Sequence, residues 1–493
     1  MTSRGAWARE GKRRRALTAH PATSRGLALW MALLFFSAAA IPPPVTAQAP
    51  AIQEFTALPL PVGSGARALG QGGAFTAVAD DATAAVWNPA GLVQLERPEV
   101  SIVATHLAAT TRFSDQTVTE GPGAITSFHF GADEEGSRFD VNFVSVTYPA
   151  AIGGRNVAFS LNYHQRYDFN QHLAYAKSST AEAPGELGPS SLTEHVHLTT
   201  AGGIGALTPA VAVELSSRLS IGLSVNFLRN EVLDGDAYTQ DLGFTYEQVD
   251  DFVFLPMPAV SSGRFDRHTV SDFSGTNATV GAMWRAWQGG ASRLTLAAVV
   301  EIPYTADVDR SVRTRVTDQV INGEPFDDPS VTQVKEHVAI DFPLSATVGA
   351  ALRLTDRTTI ALDVAWTEWS DWVQENRDTG VRTRPLAGAP ESTEIDDLFA
   401  VRLGVEHVLS LPAGMIPLRA GLFYDPRPGL GNEQGIYGFS LGSGLTTPRF
   451  SLDAAYQYRT GDDLPGRNVS VELLDTSFDT EEHLFIASLI WYL

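Results

Sequence analysis

Cysteine is absent from all 493 residues. Neither a disulfide framework nor a thiolate metal site is therefore available. Beyond the leader, no segment approaches 18 consecutive apolar residues, which excludes a further helical membrane span. Positive charge is scarce: 35 Lys and Arg stand against 56 Asp and Glu, a formal −21. A nucleic-acid binder wants a basic stripe, so this balance argues against one. Ser, His and Asp residues are present, as in any chain this long, and mark no triad. His195 and His197 share one strand face but have no third ligand nearby, which suits rim residues better than a metal site. Gly63, Gly65, Gly70, Gly72 and Gly73 resemble a phosphate loop, yet no Gly-Lys-Ser/Thr follows and no βαβ unit surrounds them. The expectation is a chain that is not an enzyme and uses no cofactor or metal.

What is present begins with an address. Arg4, Arg9, Lys12, Arg13, Arg14, Arg15 and Arg25 form a basic leader. An apolar run from Gly26 to Ile41 and the exit Pro42-Pro-Pro-Val-Thr-Ala-Gln-Ala49 follow. This order is that of a secretory signal peptide, with cleavage expected after Ala47 or Ala49. Removing residues 1–49 takes away seven Lys/Arg and one Glu, leaving 28 basic and 55 acidic residues, about −27.

Period-2 alternation recurs through the rest of the chain. Phe399, Val401, Leu403 and Val405 oppose Ala400, Arg402, Gly404 and Glu406. Leu219, Ile221, Leu223, Val225 and Phe227 oppose Ser220, Gly222, Ser224 and Asn226. Leu294, Leu296, Ala298, Val300, Ile302 and Tyr304 are read as one apolar face. Strands with one apolar and one polar face alternate in this way. Aromatic residues gather towards strand ends, as interfacial girdles require. The polar face carries charges of both signs at strand centres, which suits a hydrated lumen. The final residues, His483-Leu-Phe-Ile-Ala-Ser-Leu-Ile-Trp-Tyr-Leu493, put Phe485, Ala487, Leu489, Trp491 and Leu493 on one face. In lipid such a strand must pair with the first one, because an open sheet edge leaves backbone groups unsatisfied.

The fold class is therefore all-β: a transmembrane antiparallel β-barrel of about fourteen strands with a small N-terminal hatch inside the lumen. Strands are expected near 99–112, 138–150, 154–168, 193–214, 218–232, 269–288, 292–306, 336–355, 357–373, 396–409, 415–425, 434–447, 448–460 and 483–493. Short and long connections alternate, which puts both termini on the periplasmic rim. The long loops read as acidic and solvated, with Asp133-Glu134-Glu135, Asp250-Asp251, Asp327-Asp328, Asp462-Asp463 and Glu481-Glu482. The domains are a signal peptide at 1–49, a hatch at 50–97 and an outer-membrane barrel at 98–493. The hatch reads as weakly helical near 74–86. Pro89 ends that stretch and Asn88 makes an Asx-type turn.

The hatch resembles the N-terminal segment of the FadL/TodX family of outer-membrane transport proteins. The matching residues are Gly65-Ala-Arg-Ala68, Gly72-Gly-Ala74, Ala79-Asp-Asp-Ala82 and Asn88-Pro-Ala-Gly91. Further matches are Ala361-Leu-Asp-Val-Ala-Trp-Thr-Glu-Trp-Ser370, Leu418-Arg-Ala-Gly-Leu-Phe-Tyr-Asp425 and Phe450-Ser-Leu-Asp-Ala-Ala-Tyr456. The first block is shared with PorV/PorQ-like barrels. The chain departs from the FadL/TodX pattern in ending on Leu493 where an aromatic is usual. It also lacks a glycine after Gly154 in the third strand, which leaves Asn162 as the candidate kink.

The resemblance implies a plugged barrel in the bacterial outer membrane, through which hydrophobic compounds such as long-chain fatty acids or aromatic hydrocarbons diffuse and leave laterally. The alternative is a PorV-like docking component of protein secretion. Expected partners are outer-membrane lipid, lipopolysaccharide, hydrophobic small molecules and the barrel-assembly machinery. Phe75, Trp87, Asn88 and Pro89 of the hatch, with Ile486, Ile490 and Tyr492 of the last strand, are the candidate ligand-binding or hatch residues. Arg402, Arg419, Arg449 and Arg459 are the candidate carboxylate anchors, although Glu406 and Asp453 nearby favour structural charge ladders for them.

Overall fold

The alternating segments pair into one closed wall. The computed structural model describes residues 64–493, apart from 120–123, 132–133, 182–188, 231–237, 252–256, 326–329, 387, 413, 431–434 and 466–475. The leader, its cleavage site and residues 50–63 of the expected hatch lie outside the described residues. Fourteen described strands form the wall. In chain order they are β1 (Glu99–Phe113), β2 (Glu134–Ile152), β3 (Arg155–Asp168), β4 (Gly203–Ser216), β5 (Leu219–Asn230), β6 (Ala259–Gly289) and β7 (Ser292–Glu301). They continue as β8 (Ser345–Thr355), β9 (Thr358–Thr367), β10 (Leu398–Leu411), β11 (Gly414–Tyr424), β12 (Tyr437–Thr446), β13 (Phe450–Pro465) and β14 (Ser477–Tyr492).

Each strand pairs antiparallel with the next. The last returns to the first in unbroken register, from Glu99↔Tyr492 to Phe113↔Phe478. Closure leaves the wall no edge, which is the condition for a sheet in hydrocarbon. The alternation sets the faces as read. Phe485 is 50% exposed and points outward, while Ile486 beside it is 3% exposed and points inward. On β5, Ile221, Leu223 and Phe227 face out, and Ser220, Ser224 and Asn226 face in. No described helix is long and apolar enough to cross a membrane.

The short turns lie on the rim that also holds the start of β1 and the end of β14. There the backbone amide of Leu493 donates to Pro98 O at 2.9 Å. On the other rim several long connections are not loops. Residues Gln171–Ala181 pair with Ser190–Ala201, which pair with Tyr238–Asp250. These pair with the first half of β6, whose other side takes Tyr304–Ile321 and then Ser330–Phe342. β6 has 31 residues. At about 3.3 Å per residue it runs well past the ~25 Å apolar band of a membrane barrel.

Three sequence expectations change as a result. The expected strands 193–214 and 336–355 each merge an outer strand with a wall strand. Gly202, with a φ of 102°, breaks the first, and the Pro343–Leu344 step breaks the second. Tyr304 does not continue the outward face of β7. Pro303 interrupts the ladder, and the Tyr304 ring packs inward against Phe342 at 4.8 Å. Finally, Glu134-Glu135, Asp462-Asp463 and Glu481-Glu482 are not loop but parts of β2, β13 and β14, and Glu482 faces inward and is buried.

Candidate ligand cavity

Residues 64–95 are rich in Gly and Ala, so their backbone can approach the wall closely. They form α1 (Ala66–Gly70), α2 (Ala84–Trp87) and a 3-10 helix over Pro89–Gln94. The helix expected over 74–86 is confined to its last residues. The reason lies in where the backbone donors go. The amides of Phe75 and Thr76 both donate to Asp363 Oδ2 on β9 at 2.8 Å. The amide of Thr83 donates to Asp81 Oδ1 at 2.9 Å. Asn88 Oδ1 accepts from the Ala90 amide at 3.1 Å, the expected Asx geometry, and so caps the 3-10 helix.

The same segment lies against the inward faces of several strands. The Ala66 amide donates to Ser488 Oγ at 2.7 Å, and the Gly72 amide to Ser440 Oγ at 2.8 Å. Ser224 Oγ donates to Ala85 O at 2.6 Å, and Asn88 Nδ2 to Thr76 O at 2.9 Å. Two wall glycines permit this approach. A Cβ on Gly281 would overlap Asn88 Oδ1, and one on Gly421 would overlap the backbone of Gln71 and Gly72. Phe75 is fully buried, edge-on to Trp87 at 6.2 Å.

A ladder of ion pairs joins the segment to β10–β14. Arg67 pairs with Asp80 and bridges to both oxygens of Glu406 at 3.2 Å. Glu406 also accepts from Arg419 at 2.7 Å, and Arg419 donates to Asp453 at 2.5 Å. Further out, Arg402 donates to Asp425 at 2.9 Å, and Arg427 to Glu482 at 2.5 Å. Arg459 lies 3.7 Å from Asp425 and 3.5 Å from Glu482. Charges this deep persist only when paired. Within the segment, burial opposes the Arg67 charge, but Asp80, Glu406 and Asp81 together hold its pKa well above the usual value. Burial pushes the Asp81 carboxyl up, against the pull of Arg67 and the Thr83 donors.

Beyond the segment, towards the long-connection rim, lies a cavity of about 260 Å³. Val86 and Trp87 form its floor. Tyr167, Tyr304, Phe342, Trp369, Leu398 and Ala365 give it an apolar wall, and His164, Gln165, Arg166, Glu301, Arg402, Asp425 and Arg427 give it a polar one. Arg166 is paired with Glu301. The apolar wall continues outward through Trp372, Leu386 and Ile395. Trp369 and Trp372 meet edge-on at 5.0 Å.

A closed fourteen-stranded wall with such a lumen has known counterparts. The family model for outer membrane protein transport proteins (OMPP1/FadL/TodX) matches residues 45–479. The chain belongs to the OMPP1/FadL/TodX family. As a member of that transport family it resides in the bacterial outer membrane. Its fold is shared with solved FadL/TodX structures. A FadL homologue of Pseudomonas aeruginosa superposes with a TM-score of 0.51 at 12% identity, covering 86% of this chain and 97% of that one. The Pseudomonas putida toluene transporter TodX gives a TM-score of 0.52 at 11% identity, covering 87% and 99%. No curated protein sequence matches the chain.

Within this FadL/TodX-type barrel the sequence-derived site residues fall into separate places. Of the hatch four, Trp87 reaches the cavity. Phe75, Asn88 and Pro89 pack between segment and wall instead. Ile486 sits in an apolar cluster with Ala66, Leu69 and Phe143, also below the cavity. Ile490 is buried nearer the short-turn rim, and Tyr492 lies there under the Arg97 guanidinium at 4.1 Å. Of the arginines, Arg402 borders the cavity. Arg419 and Arg459 are spent in the ladder, and Arg449 is exposed in the short turn before β13. Sequence reading missed His164, Gln165, Arg166, Glu301, Phe342, Trp369 and Arg427. Arg427 fell in an expected connection and Trp369 in a 3-10 helix read as strand; for the rest the strands were found, but only the three-dimensional closure brings residues so distant in sequence to one height.

Proposed function

We propose that this family member passes small, uncharged hydrophobic compounds, of the size of a one-ring aromatic hydrocarbon, from the cell exterior into the outer membrane. The cavity carries this reading. Its volume of about 260 Å³ lies just under the ~300–1,000 Å³ usual for drug-sized ligands. Its aromatic wall rewards removal of apolar surface from water at roughly 25 cal/mol per Å², whereas a water-filled pore offers such a compound nothing. Residues 64–95 act as the plug that denies polar solutes a continuous path. Passage needs no energy source and no covalent chemistry.

A lateral way out is supported by an interruption in the wall. The β2–β3 ladder runs from Ile152↔Arg155 only as far as Phe143↔His164. Just there β2 slips register against β1 between Val103 and Ala104, and β3 slips against β4 between Gln165 and Tyr167. Bulges bend a strand and end pairing. Asn162, the sequence candidate for a kink, instead sits in regular ladder on both sides. The exit reads as the stretch of wall next to residues 165–167, which border the cavity.

Calorimetric titration of the detergent-folded protein with toluene tests the reading. Saturable binding that a Trp369→Ala variant weakens is the expected result. Absence of saturable binding for any one-ring hydrocarbon would remove it.

A further inference from the structure

The two bulges do more than interrupt the wall. Beside the slip that leaves out Arg166, both His164 and Gln165 of β3 line the cavity. They are 2% and 1% exposed. Asn142 of β2 is the residue left over by the Val103/Ala104 slip. It stands one position past the last β2–β3 pair and is fully buried. Buried polar atoms are normally hydrogen-bonded. Here His164 Nε2, Gln165 Nε2 and both amide atoms of Asn142 find no partner within the described residues. They are left for water or for a ligand.

We infer that His164 and Gln165 form a polar recognition point for an uncharged ligand that carries one hydroxyl on an aromatic ring, a phenol in chemical class. The inference rests on the cavity being the ligand site. The Gln165 amide nitrogen only donates, so the ligand must bring an acceptor. His164 Nε2 donates or accepts according to tautomer, so a hydroxyl satisfies both groups where a bare hydrocarbon leaves them unpaired. The ring would lie against Tyr167 and Phe342, whose own rings stack at 5.9 Å. A carboxylate fits less well. The guanidinium groups that line the cavity are taken: Arg166 by Glu301, Arg402 by Asp425 and Arg427 by Glu482. Glu301 and Asp425 themselves border the same space.

Calorimetry with toluene, 4-methylphenol and 4-methylbenzoate at neutral pH, with micelle blanks subtracted, tests this on the folded wild-type protein. The expected order puts 4-methylphenol at least tenfold tighter than toluene, which is about 1.4 kcal/mol, with 4-methylbenzoate weakest. In Gln165→Leu, checked for folding by heat-modifiable gel migration, the ratio of 4-methylphenol to toluene affinity should fall towards one. A ratio near one in the wild type, or a ratio untouched by the variant, overturns the recognition point while leaving the cavity reading intact. Tightest binding by 4-methylbenzoate overturns the preference for an uncharged ligand. Binding of none of the three overturns the cavity reading and this inference together.

Discussion

The inner and outer parts of the lumen solve different problems with the same strand pattern. On the short-turn side the inward residues are small or charged: Gly281, Gly421, Ser224, Ser440, Asp363 and Glu406. They hold residues 64–95 through directed hydrogen bonds and ion pairs. On the long-connection side Tyr167, Phe342, Trp369, Trp372 and Leu398 pack as one apolar cluster beside the paired charges Arg166–Glu301 and Arg402–Asp425. Directed bonds fix a segment in one register, because each unmet donor costs about 1–3 kcal/mol when buried. Apolar contact is non-directional and tolerates a guest. On the proposed function, closure against polar solutes and affinity for greasy ones fall to different regions, and substitutions in the two should separate them.

The largest effect is expected from deleting residues 64–95. Planar-bilayer conductance to small ions should rise sharply while the barrel still shows heat-modifiable migration. Unchanged conductance would show that the segment does not close the pore. Trp369→Ala should do the reverse. It removes a large aromatic side chain from the cavity wall, and toluene affinity should drop about tenfold, near 1.4 kcal/mol, with no added ion leak. A variant that leaks without losing affinity would place Trp369 with the closure instead.

Asp363→Ala comes next. It strips the amides of Phe75 and Thr76 of their shared acceptor, a loss of about 1–3 kcal/mol from docking of the segment. Intermittent channel openings should appear in single-channel records, with toluene affinity held within about twofold. If affinity falls as leak rises, the two halves are coupled and the comparison fails.

How much of this division was legible in sequence depends on range. Period-2 alternation is local, so the wall strands, their outward faces and the alternation of short and long connections could be read from runs such as 399–406 and 219–227. The Asn88 turn was legible because its hydrogen bond spans two residues. The 74–86 helix was misread because Asp363, 287 and 288 residues away, takes the donors a helix would have used. The outer strands 171–181 and 238–250 were read as loop because Ser, Thr and charged residues blur the alternation once no lipid face is required. The cavity was out of reach because its lining comes from side chains brought to one height only by closure. Arg402 was found among the arginines by its face, but facing inward did not distinguish it from Arg419 and Arg459, which serve the ladder.

The smallest predicted effect concerns pH and the closure alone. Burial raises the Asp81 carboxyl in the folded protein. A raised acid favours the docked segment when protonated. Its contribution is fully present below the ordinary value of about 3.9 and is lost as pH climbs through the raised one. Residual ion leak should therefore grow slightly from about pH 4 towards neutrality. Asp81→Asn should flatten that slope, because the amide oxygen can still accept from Thr83 while the charge is gone. Toluene affinity has no reason to follow, since Asp81 does not border the cavity. A leak that falls with rising pH in the wild type would reverse the sign and point to the carboxylate form of Asp81, through Arg67, as what secures the segment.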